Sequence, residues 1–76
     1  MTVYELTVNS YKMDEIKVHW VHQKKDGSYE DGIETRTTNE ERSVSFVWYD
    51  FRDYNVSMFT SPEACKLEIW ASFYEA

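Results

Sequence analysis

Glycine, proline and cysteine are scarce in this 76-residue chain, which has two glycines, one proline and one cysteine. Two glycines are too few for a glycine-rich phosphate-binding loop, so that class of nucleotide site is excluded. A single cysteine forms no internal disulfide, and this usage predicts a cytoplasmic protein. No run approaches the roughly 18 apolar residues of a membrane-spanning helix, and we expect no secretion signal. The length predicts one domain, residues 1–76.

Alternation of apolar and polar residues at period two predicts that most of the chain is β-strand. The five predicted strands lie at residues 4–8, 16–20, 29–37, 43–49 and 54–59. The Asp-Gly pair in the segment 24–28 predicts a tight turn that joins the second and third strands as an antiparallel hairpin. The third strand has only Tyr29 and Ile33 to bury, so we place it at a sheet edge. The fourth is apolar on both faces and is placed in the centre.

The last segment of the chain fits two periods. At period two it presents one apolar strand face, formed by Cys65, Leu67, Ile69, Ala71 and Phe73. At period 3.6 it forms a helix whose apolar stripe includes Cys65 as a core residue. Ser61 as N-cap, Pro62 at the first helical position and Glu63 near the positive end of the helix dipole favour the helix. The predicted fold is therefore α+β, an approximately five-stranded antiparallel sheet with a C-terminal helix packed on one face.

That helix would cover one side of the predicted sheet and leave the reverse side uncovered. The apolar residues predicted on the reverse side are Val3, Val21, Val47, Tyr49 and Phe59. Exposed apolar surface of this kind on a small protein is typical of a contact site. The alternative is that the sheet curls enough for loops to cover this side, in which case the apolar residues there are structural and form no contact site.

Side chains suited to catalysis are present but poorly placed. His19 and His22 are three apart on a predicted strand, so they point to opposite faces and do not share a metal ion. Asp50 and Asp53 flank a predicted tight turn, which supplies no apolar pocket to separate their pKa values for acid–base work. We therefore predict no catalytic residue, no metal site and no cofactor.

Negative charge is concentrated in one part of the sequence. The formal net charge is −6, and residues 26–41 hold six acidic residues against Arg36 alone, a net −5. Acidic side chains on an edge strand are a common protection against edge-to-edge aggregation, and that is one interpretation. The other is a surface that binds a basic partner, with nearby aromatic residues as anchors. The predicted partner-binding residues are Asp26, Tyr29, Glu30, Asp31, Glu34, Glu40, Glu41, Tyr49 and Phe51.

The short chain, the acidic stretch Asp26–Glu41 and the aromatic-rich segment Val44–Tyr49 together resemble small acidic phage-encoded inhibitors of the anti-CRISPR, anti-restriction and DNA-mimic kind. The resemblance implies a non-enzymatic inhibitor in the host cytoplasm. Its expected partner is a basic protein such as a nuclease, polymerase or CRISPR effector, bound without direct contact to nucleic acid or membrane. Two alternatives stay open: a homodimeric structural protein that pairs through the reverse sheet face, and an antitoxin or immunity protein for a basic nuclease.

Overall fold

The structure is a computed structural model that describes residues 1–7, 15–37 and 50–75. These residues form a small single sheet of four strands with a short helix, an arrangement consistent with the α+β class. The elements are α1 (Val3–Thr7), β1 (Glu15–Gln23), β2 (Tyr29–Thr37), β3 (Asn55–Thr60) and β4 (Lys66–Tyr74). The predicted strand over 43–49 and the end of the first predicted strand lie outside the described residues.

Two antiparallel hairpins lie side by side, and the strand order is β2-β1-β4-β3. The central strands β1 and β4 run parallel, so the expectation of an entirely antiparallel sheet is wrong. Their register aligns Val18 with Ile69. Because side chains alternate along a strand, this register brings the apolar residues of both strands to one face. We call this side of the sheet the core face.

The β1–β2 hairpin confirms the prediction from the Asp-Gly turn. Gly27 has a φ of 90°, which a residue with a side chain rarely adopts. The Lys24 N–H donates to the carbonyl of Ser28 at 2.7 Å, and Asp26 Oδ1 accepts from the Ser28 N–H at 2.9 Å. As predicted, β2 is an outer strand, but Tyr29 and Ile33 are 66% and 62% exposed rather than buried. The register explains this for Ile33, which aligns with His19 on the side away from the core.

The first predicted strand is wrong, because the described part of it is the helix α1. Thr2 and Glu5 form a capping box: the Thr2 N–H donates to Glu5 Oε1 at 3.0 Å, and the Glu5 N–H donates to Thr2 Oγ1 at 3.2 Å. The helix buries Val3 and Thr7, one turn apart, against the core. The Val3 N–H also donates to the carbonyl of Tyr54, which fixes the helix to the segment that precedes β3.

The predicted C-terminal helix is also wrong, and the alternative at period two is confirmed: this segment is strand β4. The buried residues Leu67, Ile69 and Ala71 alternate along it. Ser61 does not cap a helix, because its hydroxyl donates to the carbonyl oxygen of Lys66 at 2.7 Å and closes a turn. Cys65 lies in that turn with a φ of 61° and is exposed, so its predicted burial in the core is wrong as well.

A register shift between Val56 and Met58 sends these two residues of β3 to different faces of the sheet. Val56 aligns with Ala71 and packs against the core, whereas Met58 aligns with Trp70 on the other side and is 55% exposed. We call that side the opposite face. Phe59 aligns with Ile69, so its predicted place on the reverse face is wrong.

Val3 is likewise buried rather than on the reverse face, whereas the exposure predicted for Val21 is confirmed. Val47 and Tyr49 lie outside the described residues. The hydrophobic core of the described residues comprises Val3, Ile16, Val18, Phe51, Leu67, Ile69 and Ala71. It therefore combines the core face of the sheet with α1 and the segment around Phe51.

Candidate functional site

A pocket of about 220 Å³ lies between the β1–β2 hairpin and the segment 50–54. Its lining residues are Trp20, His22, Glu30, Glu34, Asp50, Phe51 and Tyr54. Three of them carry carboxylates, three carry benzene or indole rings, and none carries the positive charge of lysine or arginine. We call this site the acidic aromatic pocket.

The hairpin register positions the carboxylates around Trp20. Gly32 of β2 lies directly opposite Trp20, and Glu30 and Glu34 flank Gly32 on the same face. A Cβ atom at Gly32 would lie only 2.9 Å from Cζ2 of Trp20, so only glycine lets the indole lie this close to β2. The indole is therefore placed between two acidic residues whose Cα atoms are separated by about 13 Å along the strand.

The segment 50–54 supplies the opposite wall. The Tyr54 N–H donates to the carbonyl of Phe51 at 3.0 Å, which closes the turn between them. The Phe51 ring is buried, 6.2 Å from the Trp20 ring and 5.3 Å from the Tyr54 ring between centroids. Tyr54 also stacks on Phe73 of β4. Because Phe51 belongs to the hydrophobic core, the aromatic wall is anchored in the folded sheet.

One carboxylate of the pocket, that of Glu30, is paired with a lysine of the hairpin turn. Lys24 Nζ donates to Glu30 Oε1 at 2.9 Å, and this hydrogen bond lowers the pKa of Glu30 and raises the pKa of Lys24. Both side chains are well exposed, so the pair adds little to stability. Burial raises the pKa of Tyr54 above its ordinary value of 10.0, and the negative charges of Asp50 and Glu30 raise it further. The two carboxylates therefore add to the effect of burial in opposing ionisation of the phenol.

We expect Asp50→Asn to lower the pKa of Tyr54, because of the two negative charges that oppose ionisation of the phenol it removes the one with the larger effect. Asp53→Asn, in the same turn but outside the pocket, should leave it unchanged. The pKa of Tyr54 is higher in the folded than in the unfolded protein, where it lies near 10.0. The stability that this difference contributes is therefore fully present below pH 10.0 and is lost as the pH rises through the pKa of the folded protein. A pH titration of the Tyr54 ring signals by NMR measures both variants, and equal shifts in the two would contradict this electrostatic picture.

The structure brings together three of the predicted partner-binding residues in the pocket: Glu30, Glu34 and Phe51. Asp31 lies on the opposite face, aligned with Val21. Asp26 lies in the hairpin turn, where hydrogen bonds from Ser28 lower its pKa. Tyr29 begins β2 as an exposed side chain outside the pocket lining. The three others lie outside the described residues: Glu40, Glu41 and Tyr49.

Tyr54 is one of the aromatic residues that the sequence suggested as anchors, and it lines the pocket. The sequence did not indicate the three other lining residues as binding residues: Trp20, His22 and Asp50. A signal was available for the first two, because the predicted hairpin already places His22 opposite Glu30 and Trp20 opposite Gly32. Asp50 was interpreted only as a turn residue. Its place beside the hairpin depends on a long-range contact of the segment 50–54, which local sequence patterns do not reveal.

A wider groove of about 480 Å³ lies on the opposite face of the sheet. His19 stacks on Trp70 at 4.5 Å between ring centroids, and His19 Nε2 lies 2.6 Å from Oε2 of Glu68. The groove lining contains a single carboxylate, that of Asp31. It is therefore larger than the acidic aromatic pocket but carries much less charge.

The two histidines lie on opposite faces, as predicted. His22 packs against Tyr54 and Phe73, and its Nε2 lies 3.3 Å from Oε2 of Glu75, an ion-pair distance without hydrogen-bond geometry. Within residues 1–7, 15–37 and 50–75, no three acidic, histidine or cysteine side chains are grouped closely enough to hold a metal ion.

Comparison with known proteins yields no match to a family model, a curated protein or a solved structure. In the part of the chain that the structure describes, no helix has the length and apolar character needed to cross a membrane. Function is therefore inferred from the geometry of the site itself.

Proposed function

We propose that this protein is a non-enzymatic inhibitor that binds a basic, nucleic-acid-binding surface of a host or defence enzyme. Binding uses the β1–β2 hairpin and the aromatic residues beside it. The observation that carries the proposal is the convergence of Glu30, Glu34 and Asp50 on one aromatic-walled pocket. The expected partner is a basic protein such as a nuclease, a polymerase or a CRISPR effector, met in the cytoplasm.

The sign of the charge selects the class of partner. Contacts to nucleic-acid phosphates need clustered lysine and arginine, and the lining of the acidic aromatic pocket contains neither. A negative surface instead accelerates encounter with a positive groove and disfavours binding to other acidic molecules. Such a groove on an enzyme is commonly the place where nucleic acid binds, so occupying it blocks the enzyme without any chemistry.

The aromatic residues supply the part of the binding energy that charge does not. Tyrosine, tryptophan and arginine dominate binding energy at interfaces, and the two aromatic residues bury a large area at a small cost in conformational entropy. Trp20 and Tyr54 are partly buried against the core, and their position is therefore fixed before a partner arrives. Pre-organised side chains of this kind lose little freedom on binding.

The outer strand β2 extends the negative surface beyond the pocket. Asp31 projects from the opposite face of the same strand as Glu34, so acidic side chains flank both sides of this sheet edge. Lys24 compensates Glu30 at the end near the turn. The centre of the proposed binding surface is the pocket lined by Glu30, Glu34 and Asp50, and the tip of the hairpin lies at its margin.

A second candidate function is self-association through the opposite face. Val21, Ile33 and Met58 are exposed there around the stacked pair of His19 and Trp70. A two-fold interface across this face would bury them.

An antitoxin or immunity protein for a basic nuclease would use the same acidic surface as the inhibitor.

Affinity purification from a cell lysate with the immobilised protein tests the proposal. We expect retention at low salt of an enzyme that acts on nucleic acid, and its release at high salt, because screening weakens attraction between exposed charges. Mass spectrometry of the retained protein shows whether it is an enzyme that acts on nucleic acid. Recovery of the bait alone would favour self-association, and retention of an acidic protein unaffected by salt would contradict the proposal.

A further inference from the structure

We propose that the opposite face of the sheet binds a second copy of this chain, with a two-fold axis that runs along the strands between β1 and β4. The proposal rests on self-association, the second candidate function, for the choice of face, and it assigns the symmetry and the contacts. It does not depend on the acidic aromatic pocket. Its basis is the match between the charges of β1 and those of β4 on this face.

One row of side chains crosses all four strands of the opposite face. The register aligns its members, from β2 to β3, in the order Ile33, His19, Trp70 and Met58. We call it the transverse row. Its outer members, Ile33 and Met58, are 62% and 55% exposed, and the rings of His19 and Trp70 stack between them. A continuous exposed patch of this kind is typical of a contact with another protein.

The charged side chains beside the transverse row have opposite signs on the two central strands. Glu15 of β1 aligns with Lys66 of β4, and Lys17 of β1 aligns with Glu68 of β4. The first pair already lies within one copy, since Lys66 Nζ is 3.9 Å from Glu15 Oε2. Lys17 has no ion pair with any residue in the described part of the chain. The ammonium of Lys17 is therefore available to a second copy.

A two-fold axis along the strands turns this pattern into contacts between copies. It lays β1 of one copy on β4 of the other, so each side chain meets the residue that aligns with it in the register. Lys17 of each copy then meets Glu68 of the other, and the ion pair forms twice. The two transverse rows also meet, and Ile33 of each copy packs on Met58 of the other.

A two-fold axis across the strands does not produce this match. It exchanges the two sides of the transverse row, so it would place Lys17 on Val21 and Glu68 on Ser72 of the second copy. Both charges would then lose water without gaining an opposite charge, which is costly. The charges therefore select the axis along the strands, as complementary charges commonly fix the orientation of an interface.

The size of the opposite face suits a reversible dimer. The sheet has four strands, of which the central two are nine residues long. With strands about 4.8 Å apart and a rise of about 3.3 Å per residue, the face covers roughly 500 Å² per copy. Two such faces bury about 1,000 Å², the lower limit of a specific interface. We therefore expect the dimer to dissociate on dilution.

Analytical ultracentrifugation of the full chain over a range of concentrations measures this equilibrium. We expect the 9.1 kDa chain to exchange with a species of twice its mass. Lys17→Glu and Glu68→Lys each bring like charges together between copies, so each is expected to raise the dissociation constant of the dimer on the order of tenfold or more. Lys25→Glu and Asp53→Lys make the same changes of charge outside this face and are the matched controls.

A mixture of the Lys17→Glu and Glu68→Lys variants tests the contact itself. The glutamate introduced in one chain meets the lysine introduced in the other, and the unchanged Lys17 and Glu68 meet as well. We expect the mixture to recover most of the affinity of the wild-type dimer. The two substitutions are on different chains, so recovery reports contact between copies and not repair of either fold. Absence of recovery, or equal weakening in the control variants, would overturn the proposal.

This proposal and the inhibitor function fail separately. A dimer that captures no enzyme would leave the interface standing and overturn the inhibitor. A chain that is monomeric at every concentration but captures such an enzyme would overturn the interface alone. Loss of the captured enzyme in the Lys17→Glu variant, but not in the Lys25→Glu control, would assign the opposite face to that enzyme and also overturn the interface between copies.

Discussion

Ile69→Ala is expected to destabilise the fold by about 2–5 kcal/mol, whereas the same substitution at Ile33 is expected to change the stability by less than about 0.5 kcal/mol. Ile69 lies on the central strand β4 with 0% exposure, and its truncation leaves a cavity at the centre of the core. Ile33 lies on the outer strand β2 and is largely exposed. Urea denaturation of the two variants measures the difference.

The expected loss at Ile69 is a large fraction of the total, because domains are stable by only about 5–15 kcal/mol. Partial unfolding of the Ile69→Ala variant at room temperature is consistent with the prediction. Similar losses in the two variants would contradict the placement of Ile33 on an exposed face, and a negligible loss at Ile69 would contradict the central place of β4.

The hairpin was predictable because its signals are local. The Asp26-Gly27 pair specifies the turn, and the alternating residues on either side fix which side chains face each other. The outer position of β2 followed from its few apolar residues. The same reasoning failed for Ile33, because the register sends it to the face away from the core.

The error at the C-terminus has a different cause. Ser61 and Pro62 form a typical helix start, yet Ser61 donates to backbone carbonyls of a turn, and the left-handed backbone at Cys65 interrupts any helix there. The apolar residues of the segment that follows, now β4, fitted both the period of two of a strand and the period of 3.6 of a helix. Pairing with β1 and β3 on its two sides decided the outcome, and such long-range pairing overrides local preference.

At the N-terminus the decisive signal was in the sequence. Threonine followed three residues later by glutamate is a capping-box pattern, and Thr2 and Glu5 form it. The apparent alternation of Tyr4 and Leu6 suggested a strand instead. The acidic residues of β2 were predictable as binding residues because they follow one another along a single strand. The position of Asp50 and Tyr54 beside that strand depends on tertiary contacts, which the sequence pattern does not show.

Reversal of charge on β2 is expected to produce the largest change in binding. Asp31→Lys with Glu34→Lys places two cations where the proposed partner presents its own, and we expect affinity for the captured enzyme to fall on the order of 100-fold at low salt. Glu30 is left unchanged so that its ion pair with Lys24 in the hairpin is kept. Surface plasmon resonance at low and high salt measures the change.

The matched control reverses Asp53 and Glu63, two exposed acidic residues outside the pocket and outside β2. Both double variants have the same net charge, so general attraction affects them equally. Comparable losses in the two variants would mean that the total charge governs binding and that its place on the hairpin does not. Similar melting temperatures for both would exclude unfolding as the cause.

Competition with nucleic acid tests most directly whether this protein occupies a nucleic-acid-binding surface. The measurement is the dissociation constant for the purified captured enzyme, with and without the DNA or RNA on which that enzyme acts. We predict that the apparent dissociation constant rises linearly with the concentration of the nucleic acid, because both bind the same positive groove. An affinity unchanged at saturating nucleic acid would contradict the account.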